Sequence, residues 1–312
     1  MNGPSFSSGT PNAHGVHVRV SGFPVALEST LLLHGVPAHA AMPLHQQLCE
    51  IVSARGATPA LVAVLDGTPV VGVSDAELAA LLAAPKVVKA NASNLGIVLH
   101  RRMNAATTVS VTMELAAAAG VRVFATGGIG GAHRGYGESW DVSSDLAALA
   151  RYPVAVIASG TKSILDVPST REMLETLGVP VVGFRTDRFP AFYLRESEAT
   201  VDARFDDEAD LAAYIGAELR RTGRGVLVAN PIPEADQIQP GMWQHWLDQA
   251  EALCSDVTGR DVTPRLLARL HEVSSGKTLS ANIALVKSNA ALAAGIARLL
   301  GHQPKTDPAV PV

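Results

Sequence analysis

Five short runs of β-branched and apolar residues constrain this chain more than any other feature. They are Lys86–Ala90 (KVVKA), Val121–Thr126 (VRVFAT), Val154–Ser159 (VAVIAS), Val179–Phe184 (VPVVGF) and Gly225–Asn230 (GVLVAN). Each is short and almost uniformly apolar, and helical stretches such as Thr107–Gly120, Ser144–Tyr152 and Leu165–Gly178 separate them. Apolar strands alternating with helices need cover on both faces, which predicts an α/β fold: one αβα-layered domain with a mostly parallel central sheet. Upstream, Val25–Thr30 (VALEST) reads as a buried strand and Gln46–Gly56 as a helix stopped by its glycine. Leu61–Val73 reads as two strands turned at Asp66-Gly67, a dipeptide suited to a tight hairpin. A helix follows, with Ser74 or Asp75 as its N-cap. The last part, ending in Ser280–Gly301, reads as mainly helical. The expected limits are a flexible leader over 1–20, the catalytic domain over 21–303 and a flexible tail over 304–312.

Composition narrows the partners. With 25 Lys+Arg against 29 Asp+Glu the net charge is -4, and no basic stripe with interleaved aromatics occurs, so a nucleic-acid polymer is not expected. Cys49 and Cys254 lie far apart without paired spacing, which suggests neither a disulfide framework nor a cysteine zinc site and fits a reducing cytoplasm. The Gly/Ser/Pro-rich start lacks a signal-peptide pattern. No run reads as long and apolar enough to span a bilayer, so no membrane is expected.

Open parallel sheets bind ligands beyond the carboxyl ends of their strands. There the sequence places Glu28, Lys89, the glycine cluster Thr126–Gly135 (TGGIGGAHRG) and Lys162. The cluster fails the dinucleotide pattern, because His133 stands where the third glycine should be, and Lys162 follows Thr161, which excludes a P-loop. Its backbone can still cradle an anion with help from His133 and Arg134, or it can be a tight turn with an exposed arginine. Asp141 and Asp145 flank Ser143 and Ser144 at a helix start. Capping and the helix dipole account for that pattern, and a divalent ion on Asp141 accounts for it too. The dispersed histidines fit no zinc spacing. Lys162 is the candidate nucleophile. A lysine amine attacks a carbonyl carbon only when neutral, a form that at a pKa of ~10.4 makes up less than about one part in a thousand at pH 7, so burial, a second cation or a metal has to favour it.

At these residues the chain resembles the pseudouridine-5'-phosphate glycosidases. The resemblance rests on VALEST with HGVP, then GATPA, ATTV, VFATGGIGG with HRG, the Asp141-x-Ser143-x-Asp145 pattern, GTKSILD, FPAFY, VANPIP, and NIALV with Asn289, in the family's order. It implies an αβα fold, a homotrimer, a divalent ion of the Mn²⁺ type, and reversible joining of a base to ribose 5-phosphate. It also implies that Lys162 forms the Schiff base, Glu28 is the acid/base carboxylate, Lys89 assists, and Asp141 is the metal ligand. The implied substrate-binding positions are Val109, Ser143, Ser144 and Asp145, with Thr126, His133, Arg134 and Asn289 as further candidates.

The chemistry agrees with that set. A C-glycosidic bond has no leaving oxygen or nitrogen to protonate, so cleavage needs an electron sink at C1 and a proton for the aromatic carbon. The chain departs from the family after Lys89, where the usual V-S-R-R-D-L is Ala90-Asn91-Ala92-Ser93-Asn94-Leu95, and at Ser288, where the family has a second asparagine. With catalytic positions kept and charged neighbours lost, the chain looks like the alnumycin-type C-ribosyltransferases of antibiotic pathways. The favoured expectation is therefore C-ribosylation of a planar, polyketide-like aromatic acceptor. The alternatives are a glycosidase acting on pseudouridine 5'-phosphate and a ribose-phosphate-binding protein without catalysis.

Overall fold

The computed structural model describes residues 11–253 and 262–302. Every strand expected from the sequence forms, and three more join them. In chain order the strands are β1 His17–Val18, β2 Pro24–Glu28, β3 Thr58–Leu65, β4 Thr68–Val71, β5 Val88–Ala90, β6 Ala105–Thr107, β7 Val123–Ala125, β8 Ala155–Ala158, β9 Val181–Phe184, β10 Ala203–Phe205 and β11 Val226–Ala229. The sheet order is β1-β4-β3-β2-β7-β8-β11-β9-β10, with β6 on β3 and β5 on β6. Pairing is parallel except where β3 meets β4 and β6. The unforeseen strands β1, β6 and β10 are two or three residues long, too short for any periodicity to show.

The hairpin forms at Asp66-Gly67, both residues having positive φ (47° and 76°), as a tight primed turn requires. Ser74 caps the helix Asp75–Ala83 in a reciprocal capping box with Glu77. The first long helix, Ala38–Ala54, begins well before Gln46. It runs through Pro43, which reads as a breaker in sequence, because Ala41, Leu44, Leu48 and Val52 bury its inner face. The leader boundary at residue 20 also shifts: Val16 is buried, and His17 and Val18 pair with Val70 and Val71. The tail over 304–312, and Cys254, lie outside the described residues.

Two apolar layers cover the sheet. One lies under Ala38–Ala54, Glu208–Thr222 and the C-terminal helix Lys277–Gly301; the other lies under Val109–Ala118, Ser144–Arg151 and Val167–Thr176. The αβα expectation holds. The expectation about bilayer-length runs does not, because Lys277–Gly301 is long and apolar enough by length and composition to cross a membrane. Its apolarity serves the core instead, where it packs on β2, β7 and β8.

Candidate active site

Glu28 is the last residue of β2, and β7, the neighbouring strand, leads directly into Thr126. The Thr126 hydroxyl donates a hydrogen bond to Glu28 Oε1. Burial raises the Glu28 pKa, against the opposing pull of Lys162, the Thr126 hydrogen bond and Lys89. Burial is the largest of these influences, so this carboxyl keeps its proton to higher pH than a free one. Lys89, in β5, has its ammonium disfavoured by desolvation and by the charge of Lys162. Glu28, Lys89 and Lys162 therefore share one electrostatic site, and Asp145 acts on the first two.

The Lys162 loop follows β8 and is gripped from both sides. Lys162 N–H donates to Ile129 O (3.2 Å) and Asp166 N–H to Ala132 O (2.9 Å). On the other side, the Ser163 hydroxyl donates to Ala191 O and Phe192 N–H to Ser159 O (2.8 Å). Gly160 has φ of 71°, and a Cβ there would strike the Pro190 carbonyl. A side chain is excluded on both counts.

The glycine cluster resolves toward packing. A Cβ on Gly128 would lie 2.6 Å from the Phe192 ring, and one on Gly130 or Gly131 would strike Ser143 or Thr170. Its amides are also engaged: Ile129 donates to Gly160 O, Gly130 to Asp145 Oδ2, Ala132 to Thr170 Oγ1 and His133 to Asp141 O. These four N–H groups cannot form an anion cradle.

Ser143 caps the helix Ser144–Arg151, its hydroxyl accepting from Asp145 N–H (3.2 Å). Asp145 is buried and accepts from the amides of Ser110 (3.0 Å) and Gly130 (2.8 Å), which makes it a brace between two loops. Val109 is buried at the start of its helix. The Ser144 hydroxyl reaches Ser110 Oγ (3.1 Å), which also accepts from Ala92 N–H (3.3 Å). Asn289 is fully buried, its amide donating to Thr126 O (2.7 Å) and Ser159 Oγ (3.2 Å). Arg134 is half-exposed and pairs with Glu251 (3.5 Å).

Asp141 is exposed, with His133 Nδ1 at 3.8 Å from its carboxylate. Among the described residues no group of three or more His, Cys, Asp or Glu side chains converges on one point. One open carboxylate fits a hard divalent ion that keeps most of its waters and shares a phosphate; it does not fit a cage made by protein alone.

Sequence reasoning missed three residues. Thr107 bonds Ser29, next to Glu28 in the chain, with Thr107 N–H donating to Ser29 Oγ (2.9 Å). Asn282 Oδ1 is buried without a hydrogen-bond partner, and it lies over Gly127, 3.2 Å from where a Cβ would stand. Asn282 is in the NIALV motif, but only the fold reveals the orphaned oxygen.

The family model for indigoidine synthase A like proteins matches residues 20–299. Among curated relatives, the pseudouridine-5'-phosphate glycosidase of Symbiobacterium thermophilum is 48% identical, covering 88% of this chain and 91% of its own. That of Dinoroseobacter shibae is 45% identical over 88% and 90% of the two chains. Two solved structures are similar. An indigoidine synthase A-like protein from Thermotoga maritima has a TM-score of 0.86 at 35% identity, covering 95% of this chain and all of its own. The prealnumycin C-glycosynthase AlnA, solved in complex with ribulose 5-phosphate, has a TM-score of 0.84 at 32% identity, covering 91% and 97%.

Proposed function

We infer that this chain, an enzyme belonging to the indigoidine synthase A-like protein family, cleaves pseudouridine 5'-phosphate reversibly to uracil and ribose 5-phosphate. The observation that carries the reading is the juxtaposition of Glu28, its proton held by desolvation, with Lys162 and Lys89 around the carboxyl ends of the strands. The glycosidase relatives, at up to 48% identity, support it more strongly than the C-glycosynthase at 32%.

In the cleavage direction Lys162 Nζ attacks C1 of the sugar and the C1–O4 bond breaks, its electron pair leaving with O4. Lys89, whose ammonium is disfavoured, supplies the proton to O4. The Glu28 carboxylate takes a proton from the secondary ammonium that the attack creates on Lys162 Nζ and delivers it to the ring carbon of the base as the C1–C bond breaks. The nitrogen lone pair of Lys162 then forms the iminium. Water adds to C1 and releases ribose 5-phosphate and free Lys162. Asn282 Oδ1 accepts from a ring N–H of the base, and Ser143, Ser144 and the Val109 helix start bind the sugar phosphate. Asp141, with His133 beside it, would hold a divalent ion such as Mn²⁺, which offsets phosphate charge. The resemblance also proposes a homotrimer, which light scattering measures directly.

The reading favoured from sequence, C-ribosylation of an aromatic acceptor, takes second place. Its motive was the substituted segment after Lys89, together with Ser288. Asn94 Oδ1 accepts from Asn91 N–H (2.9 Å) and its amide donates to Lys89 O (3.0 Å), while the Ser93 hydroxyl donates to Asn91 (2.7 Å). Ser288 Oγ accepts from Asn230. These side chains satisfy local backbone and one another, which supports a repacked loop over a rebuilt acceptor pocket. The exposed Ala92 and Ser93 beside Lys89 keep the second reading open.

The test is borohydride reduction with ribose 5-phosphate, followed by mapping of the modified lysine, and rates with uracil and a naphthoquinone-type acceptor side by side. Modification of Lys162 and turnover of uracil are expected. An active enzyme that is trapped elsewhere or not at all overturns the mechanism, and turnover of the aromatic alone returns the second reading to first place.

A further inference from the structure

One side chain of the C-terminal helix reaches the ends of three neighbouring strands. Asn289 Nδ2 bonds the carbonyl of Thr126 (2.7 Å), which follows β7, and the hydroxyl of Ser159 (3.2 Å), which follows β8. Its Oδ1 accepts from Asn230 Nδ2 (2.8 Å), which follows β11. Thr126, Ser159 and Asn289 are fully buried, and Asn230 is nearly so.

The direction of these bonds is determined. A peptide carbonyl can only accept, so Asn289 must turn its NH₂ toward Thr126 O and its oxygen toward Asn230. Asn230 must then present its own NH₂, which also donates to Ser288 Oγ (3.1 Å). At the other end Thr126 Oγ1 donates to Glu28, and Thr126 N–H is held by Ile157 O (3.1 Å). Ser159 begins the loop that carries Lys162, and its carbonyl accepts from Phe192 N–H. The same asparagine therefore braces both the carboxylate side and the lysine side of the site.

We propose that Asn230, Asn289 and Thr126 form a one-way hydrogen-bond relay that positions Glu28 against Lys162, so that the two asparagines act as positioning residues and not as contacts to substrate. The proposal rests on the acid/base reading of Glu28 given above. Ser288 Oγ accepts the second N–H of Asn230 and so lies beside the relay, fixing the orientation of its first member.

The test compares Thr126→Val, Thr126→Ser and Asn230→Ala, with kcat, KM and the pH profile of kcat measured for each and Lys162 trapping as a parallel readout. Since misplacement of a reacting group by about 1 Å costs on the order of 10²-fold, Thr126→Val should lower kcat roughly 10- to 100-fold with KM nearly unchanged. A donor to a carboxylate favours its charged form, so its removal should move the Glu28 ionisation to higher pH. Thr126→Ser should restore both rate and profile. Asn230→Ala should lower kcat by a smaller factor and leave trapping intact; if it does not fold, Asn230→Ser provides the same comparison. An unmoved pH profile in Thr126→Val, failure of serine to restore it, or a raised KM with unchanged kcat in Asn230→Ala overturns the relay. Absence of trapping in the unaltered enzyme would sink the lysine mechanism instead, so the two failures are distinguishable.

Discussion

The two sides of the site are built to different standards. Glu28 ends β2 and Thr126 follows the adjacent β7, braced by Asn289, with Ser29, next to Glu28 in the chain, bonded to Thr107. The segment 133–141, which follows the glycine cluster, stands largely in solvent, with Asp141 59% exposed at its end. It is closed at its base by the Ala132–Val142 bridge and carries Trp140, which is 86% exposed with φ of 54°. The difference follows the chemistry. A carboxyl whose proton is held by burial needs a dry place, whereas a carboxylate proposed to meet a hydrated cation would need a wet one.

The sharpest way to break this contrast is at Glu28. Glu28→Gln should lower turnover by roughly 10²- to 10⁴-fold, the usual worth of a general acid or base, while borohydride still traps the sugar on Lys162. The ionisation above the ordinary carboxylate range should vanish from its pH profile. Equal loss of trapping and turnover would show that Glu28 serves the first step as well.

A smaller effect is expected at the rim. Asp141→Ala should raise KM for the sugar phosphate roughly tenfold, the worth of one interaction with a charged group, and should make activity insensitive to both EDTA and Mn²⁺. Full activity of the unaltered enzyme after rigorous chelation would leave Asp141 without a metal role.

The smallest effect is expected at Trp140. Glycine removes a left-handed strain of ~1–2 kcal/mol and adds a similar freedom to the unfolded chain, so Trp140→Gly should change stability by about 1 kcal/mol or less. A large fall in melting temperature would mean that this loop is packed as tightly as the wall and that the contrast is false.

Much of the site was legible before the fold was known. Glu28, Lys89 and Lys162 follow apolar runs, and the carboxyl end of a parallel strand is where such residues meet ligands. The glycine cluster was ambiguous because one pattern serves an anion cradle and close packing alike. Only the positions of Phe192, Ser143 and Thr170 decided for packing. Asp145 and Asn289 were expected to touch substrate, yet both brace backbone. No spacing along the chain indicates whether a buried polar group will meet a ligand or a carbonyl.

The amino-acid sequence by itself determined the αβα layering, the hairpin at Asp66-Gly67, the helix start at Ser74 and the strand ends that carry the candidate residues. All of these depend on neighbours within a few residues, through periodicity, turn geometry and capping. The tertiary structure alone decided that Thr126 faces Glu28, that Asn289 reaches three strand ends, and that the segment after Lys89 satisfies itself. Those pairings join residues up to 163 positions apart. Hydrogen-bond direction and burial, which set their roles, exist only once the sheet has brought them together.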